Sequence, residues 1–427
     1  MTRLFKDANV FYQNKFINSD FLIDDEGNFI IADLIDIQAE DVDEVIDCAG
    51  LTVMPGLVDV HTHLREPGYS YKETIKTATY SAAKGGFTTV FAMPNLKPAC
   101  DSLEHLQLQQ SIIDKDACIH VYPICAITKD QKGRGELVDF ASLHQECFLY
   151  SDDGVGVQDK NLMEEAMKQC AKYNSVIIAH CEDESELKGG SLNEGIASKR
   201  FNDAGINNAS EYNEVIRDLA LAKETGCQFH ICHMSCKESV EALRQAKKEG
   251  LNVSGEVTCH HLCLNEEDID EDNGKWKMNP PLRSKQDQEA LIKAIQDGTI
   301  EVICTDNAPH SAQEKDCAIK DAKMGIVSIE IAFSLIYTYF VKNKLLTLEQ
   351  VIKLMSYNPC DIFGIEGGEI KNMEKANLCF FDLNANIRVD SKKFASMGKS
   401  CPFDGKILNG KCVMTIVDGN IVYREDV

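Results

Sequence analysis

The sequence predicts an α/β chain: a (β/α)8 barrel of the TIM type with a small β-sandwich domain built from both chain ends. Three observations predict it. Between about residues 56 and 340, short apolar runs alternate with helix-like stretches, eight units in series. The two ends carry only short strand-like runs broken by turns such as Asp25-Glu26-Gly27-Asn28. Histidines and aspartates also close several of the central runs, and barrels keep their chemistry at the C-terminal ends of their strands.

Residues 1–54 and 366–427 read as two parts of one sandwich, the second legible in Ala376-Asn377-Leu378-Cys379-Phe380-Phe381-Asp382 and Lys411-Cys412-Val413-Met414-Thr415-Ile416. The barrel occupies 55–365. Its strands are expected at 57–61, 88–93, 119–126, 147–150, 175–180, 228–233, 252–258 and 300–306. Helices are expected among them, for example at 72–84, 162–173, 238–249 and 285–297. A doubly wound open sheet would want a glycine-rich phosphate turn after its first strand, and there is none.

Composition narrows the function. A chain of 427 residues exceeds one ordinary domain and suits one large barrel with an appendage. Its net charge of -24 argues against a nucleic-acid partner, because phosphate binding leans on clustered Lys and Arg. The opening Met1-Thr2-Arg3-Leu4-Phe5-Lys6-Asp7 lacks the apolar core of a signal peptide, and no apolar stretch is long enough to span a bilayer. The 18 cysteines form no Cys-x-x-Cys pairs. They read as small buried hydrophobes in a reducing cytoplasm. Cys259-His260-His261-Leu262-Cys263 lacks the second ligand pair of a zinc knuckle and reads as barrel strand and loop.

The chemistry concentrates first in Asp59-Val60-His61-Thr62-His63-Leu64-Arg65. Side chains alternate along a strand, so His61 and His63 point the same way and make half of a metal site. Further strand-end residues are Asp152-Asp153 after strand four, His180 after five, His233 after six and Asp306 after eight. A lone strand-end histidine has an ordinary structural explanation. Four histidines with aspartates on one rim suit two borderline divalent cations, zinc first, manganese or cobalt next. Two cations need a shared anionic ligand; strand four, Cys147-Phe148-Leu149-Tyr150-Ser151, holds no lysine, so one of Asp152-Asp153 must supply it.

These residues carry a resemblance. Asp59-Val60-His61-Thr62-His63-Leu64-Arg65-Glu66-Pro67-Gly68 is similar to the first signature of the dihydroorotases, within the amidohydrolase superfamily. Thr305-Asp306-Asn307-Ala308-Pro309-His310, with Lys315, resembles the second. Met93-Pro94-Asn95, Ser151-Asp152-Asp153-Gly154, Ala179-His180-Cys181-Glu182-Asp183, His230-Ile231-Cys232-His233 and Met278-Asn279-Pro280-Pro281-Leu282-Arg283 also match, in order. The absence of a strand-four lysine points to the bacterial class I type rather than the lysine-carbamylated types. The chain departs from the family at Asn307, where relatives commonly carry histidine, and at Cys259, where proline is common.

The resemblance implies one zinc ion held by His61, His63 and Asp306, another by His180 and His233, and Asp153 as the bridge. It implies reversible cyclisation of N-carbamoyl-L-aspartate to L-dihydroorotate in pyrimidine synthesis. Hydroxide held between two cations is nucleophilic at neutral pH, and Asp306 is placed to take its proton and return it to a leaving nitrogen. Arg65, whose guanidinium fits a carboxylate, joins Asn95 and His310 in the implied carboxylate clamp, and Asn279 is similar to the residue that bonds the pyrimidine ring. The polar segment 311–324 reads as a lid with His310 at its hinge. Relatives form dimers or join aspartate carbamoyltransferase, so either assembly is an expected partner. The competing readings are a hydantoinase- or allantoinase-like hydrolase and a non-catalytic scaffold for that transferase.

Overall fold

The computed structural model describes residues 1–31 and 42–425, so residues 32–41 of the expected first sandwich part lie outside the described residues. The N-terminal strands are β1 (Arg3–Tyr12), β2 (Lys15–Ile23), β3 (Phe29–Ile31), β4 (Glu44–Asp47) and β5 (Thr52–Pro55). Eight parallel strands follow: β6 (Leu57–Thr62), β7 (Phe87–Ala92), β8 (His120–Pro123), β9 (Leu149–Tyr150), β10 (Val176–Ala179), β11 (Gln228–Ile231), β12 (Val253–Thr258) and β13 (Val302–Cys304). The C-terminal strands are β14 (Leu378–Arg388), β15 (Ile407–Val417) and β16 (Asn420–Arg424).

The parallel strands form two ladders, β6-β7-β8 and β13-β12-β11-β10-β9. Short bridges close them into a barrel. Cys125 pairs with Tyr150 on one side, and Thr62 pairs with Asn307 on the other, where His63 N donates to the Asn307 carbonyl at 3.0 Å. Asp59 reinforces this seam by accepting from the Thr305 amide at 3.1 Å. Strands such as β10 and β13 are buried at every residue, which is why they read as continuous apolar runs.

The terminal strands make one sheet, ordered β16-β15-β14-β5-β1-β2-β3, with β4 also on β1. Its core is aromatic: Phe5 stacks on Phe21 at 4.6 Å, and Phe21 meets Phe29 at 4.9 Å. Strand β5 runs almost directly into β6, so this sheet is anchored to the first barrel strand. The junction is Gly56, where a Cβ would sit 2.1 Å from Thr88 Oγ1. No helix among the described residues is long and apolar enough to cross a membrane.

Helix boundaries follow their caps. The helix expected from residue 72 begins at Ile75, because Thr74 takes the N-cap and bonds the Thr77 amide. Lys285–Asp297 starts after Ser284 and stops at left-handed Gly298. Residues 259–263, expected as strand and loop, form a short helix instead, Cys259–Cys263, with Thr258 accepting from the His261 amide. His180, His233 and Asp306 were expected inside strand ends and lie one or two residues beyond them. His233 and Asp306 have φ of 29° and 46°, a left-handed turn that no strand continues through.

Candidate metal centre and active site

The rim is assembled from strand ends and the loops that follow. His61 is wholly buried on β6; its Nδ1 lies 2.6 Å from Glu256 Oε1, which leaves Nε2 facing the barrel axis. His63 is held the same way, with Nδ1 2.8 Å from Asn95 Oδ1 and Nε2 2.9 Å from Asp306 Oδ1. A histidine that gives one ring nitrogen to a fixed acceptor presents the other in a single tautomer and direction.

The two aspartates after β9 part company. Asp152 is consumed by the backbone, accepting from the amides of Ile127 at 2.8 Å, Thr128 at 3.1 Å and Gly133 at 3.2 Å. Asp153 turns inward: its carboxylate stands 3.3 Å from His61 Nε2, 3.5 Å from His63 Nε2, 3.7 Å from His180 Nδ1 and 3.6 Å from His233 Nε2. His180 Nδ1 and His233 Nε2 face each other at 2.9 Å, and Glu182 lies behind His180 at 3.5 Å. The four expected histidines therefore gather around the Asp153 carboxylate, and Asp306 joins them beside His61 and His63. Arg65, His233 and Asp306 all hold positive φ, backbone strain of the kind that concentrates at functional sites.

The donor set fits divalent cations. His61, His63 and Asp306 place their ligand atoms within 4.8 Å of one another, and so do Asp153, His180 and His233. His61 Nε2 is buried without a hydrogen-bond partner, which a bound cation would satisfy. The electrostatics agree. Burial opposes charge on His61, yet the Glu256 and Asp153 carboxylates hold its pKa well above the ordinary imidazole value; Glu182 likewise outweighs burial and raises His180 to about 9. Against the same burial, His61, His233 and His63 hold Asp153 well below the usual carboxylate range, and His61 and His63 lower Asp306. The carboxylates thus pull positive charge onto this rim, as protons or as metal.

Above the rim lies a cavity of about 300 Å³. Nine of the ten expected site residues line it, and His61 is the exception, sealed underneath. Arg65 is braced by its Nε donating to the Pro309 carbonyl at 3.1 Å and has His310 Nε2 3.3 Å from its guanidinium. His310 Nε2 donates to the Met324 carbonyl at 2.7 Å, while Lys72 Nζ lies 3.2 Å from Nδ1. Burial, with Arg65 and Lys72 beside it, pushes the His310 pKa down to about 3, so the ring is neutral. Asn95 spends its amide on Asp153 at 3.2 Å besides bonding His63, so it braces the ligands as well as facing the cavity. Asn279 donates to Glu182 Oε1 at 2.8 Å, tying the ring-binding position to the back of His180.

Sequence reasoning missed Glu256, His230 and Cys232 as parts of the site. Glu256 is wholly buried in mid-strand β12, bonded to His61, to His230 Nε2 at 3.2 Å and to the His233 amide at 3.1 Å. A carboxylate inside a fully buried strand has to be paired, and that was the signal available in Val253-Ser254-Gly255-Glu256. Cys232 completes a further group with His61 and Asp153. Asn307, the departure from the family pattern, is structural: its carbonyl closes the barrel seam, and its Oδ1 accepts from the Ser328 amide at 3.0 Å.

Comparisons with known proteins place this geometry. A family model described as Dihydro-orotase-like matches residues 50–239. The chain is 46% identical to a dihydroorotase of Fusobacterium nucleatum over 98% of both chains. It is 45% identical to one from Staphylococcus aureus over 99% of this chain and all of the other. Its fold matches the L-hydantoinase (dihydropyrimidinase) of Arthrobacter aurescens with a TM-score of 0.87, at 23% identity, over 100% of this chain and 96% of the other. The dihydropyrimidinase of Brevibacillus agri follows at 0.85 and 21%, over 99% and 95%. The fold and the relatives together are those of a cyclic amidohydrolase. Within that class, the chain belongs to the dihydroorotase family.

Proposed function

We propose that the protein is a dihydroorotase that interconverts N-carbamoyl-L-aspartate with L-dihydroorotate and water in de novo pyrimidine (UMP) synthesis. The observation that carries this is the convergence of six metal-type side chains at the floor of one cavity that a buried arginine also lines. Two zinc ions would be held, one by His61, His63 and Asp306, the other by His180 and His233 with Asp153 between them; they would supply Lewis acidity and a nucleophile at neutral pH. Asp306 carries the proton between the attacking oxygen and the ring nitrogen, favoured by its place at the rim beside His63. Arg65 grips the substrate carboxylate, with Asn95 and His310 beside it, and Asn279 bonds the ring from the opposite wall.

Purified protein loaded with zinc is expected to interconvert both compounds and to leave 5,6-dihydrouracil, which lacks the carboxylate, unturned. Turnover of dihydrouracil instead would assign it to the hydantoinase-like group. Absence of any turnover with metal confirmed by elemental analysis would favour a scaffold. A cytoplasmic location belongs to the same reading, in keeping with eighteen unpaired cysteines. So do homodimerisation and association with aspartate carbamoyltransferase, both read by light scattering with and without that transferase.

A further inference from the structure

We propose that Lys315 is a positioning residue that locks the two walls of the substrate cavity together, setting the distance between Asn279 and His310. The inference rests on the functional reading above. Lys315 ends the short helix Ala312–Lys315, and only 3% of it is exposed. Its ammonium donates to two backbone carbonyls from different loops, Lys277 O at 3.0 Å and Lys323 O at 2.7 Å. Lys277 lies two residues before Asn279. Lys323 lies next to Met324, whose carbonyl accepts from His310. One side chain therefore joins the loop after β12 to the loop after β13, at the residues adjoining their substrate groups.

Two further contacts make this a single latch. The Gly325 amide donates to the same Lys277 carbonyl at 3.0 Å, and the Lys323 amide donates to the Glu314 carbonyl at 3.0 Å. Glu314 in turn holds Lys72 at 3.0 Å and the Ser311 amide at 3.1 Å, which fixes the entry to the helix. A buried ammonium bonded only to carbonyls carries a desolvation cost that the nearby Glu314 offsets only in part, and burial presses its pKa down to about 7. An apolar side chain would pack that position more cheaply, so the bonds Lys315 makes are what the position demands.

The surroundings show what the latch resists. A second cavity of about 400 Å³ lies behind this wall, and both His310 and Lys315 line it. Within the 310–315 segment, His310 lines both cavities, and Ala312 and Lys315 line the second. Without the ammonium, that segment has room to fall back and carry His310 away from Arg65. Substrate grip is then lost while the metal ligands, which belong to the barrel rim, keep their places.

The test uses Lys315→Met and Lys315→Gln in the full-length, zinc-loaded protein. Expected for Met is a rise of at least tenfold in the KM for dihydroorotate with kcat changed less than threefold, zinc content unchanged, and faster amide deuterium exchange at 311–325 and 277–279 but not in helix Lys237–Lys248. Gln, which keeps a donor amide but no charge, should fall between wild type and Met, and it carries the test if Met does not fold. An unchanged KM, a loss confined to kcat, or unchanged exchange in both segments would overturn the proposal. The exchange readout needs no turnover, so a wild type inactive on dihydroorotate would reject the functional reading without touching the latch.

Discussion

At the scale of single residues, the site depends on carboxylates that fix imidazoles. Glu256 touches His61, His230 and the His233 backbone at once, so it orients histidines from both halves of the metal centre. Glu256→Gln keeps the shape and removes the charge; it is expected to cost about 10–100-fold in zinc affinity or kcat/KM, read by zinc retention against a competing chelator. The adjacent aspartates separate cleanly. Asp153→Asn should halve or abolish zinc content with little change in apo-protein melting. Asp152→Asn, which disturbs an acceptor of three amides, should lower the melting temperature and leave zinc stoichiometry intact. The reverse pattern would make Asp152 the bridge.

At the scale of elements, the loops beyond the strands are held by buried polar braces rather than by their own secondary structure. Arg283 closes the motif after β12 that also carries Asn279. It is buried within the scaffold, its Nε donating to Ser235 Oγ at 3.0 Å and its guanidinium to the Ile206 carbonyl at 2.8 Å. Through Ser235 it faces Glu211, whose pKa it lowers against the opposing effect of burial. Arg283→Met leaves that carboxylate buried without its counter-charge, and an unfolding stability lower by about 3–5 kcal/mol is expected in urea titration. The segment 311–324, expected as a polar lid, carries its own anchor: Ile319 and Ala322 are buried, and the Ile319 amide donates to Asp272 at 2.8 Å. Its alternation of polar and small apolar residues gave no period to detect, so its short helix was not legible.

At the scale of the whole molecule, buried neutral histidines link stability to acid. Burial pushes His261 down to about 4; its Nε2 donates to the Pro280 carbonyl at 3.0 Å and its Nδ1 accepts from Thr258 Oγ1. In the unfolded chain the same ring takes a proton below about pH 6.5. Between pH 6.5 and about 4 the unfolded state therefore binds more protons than the folded one. Stability is full above that window and is lost as pH falls through it, by up to about 1.4 kcal/mol per pH unit from this group. His310, at about 3, adds a slope of the same sign. Melting temperatures from pH 7 to 5 should fall more steeply for wild type than for His261→Gln; equal slopes would show that His261 contributes nothing to the acid response.

What the sequence by itself determined is the barrel, the terminal sheet and the placing of histidines and acids at the barrel rim, because these obey local rules. Apolar runs at strand spacing, the two same-facing histidines of His61-Thr62-His63 and acids at strand ends are all written within a few neighbouring residues. Helix ends were legible to within a few residues wherever a cap such as Thr74 or Ser284 was present. Tertiary structure alone decided which of Asp152 and Asp153 turns inward, that Glu256 stands behind His61, and that Lys315 spans two loops. The physical reason is that each of these choices is made by a partner far along the chain: Glu256 is separated from His61 by 195 positions and Lys315 from Lys277 by 38. A buried charge takes its direction from whatever group can satisfy it, and only the closed barrel brings that group within reach.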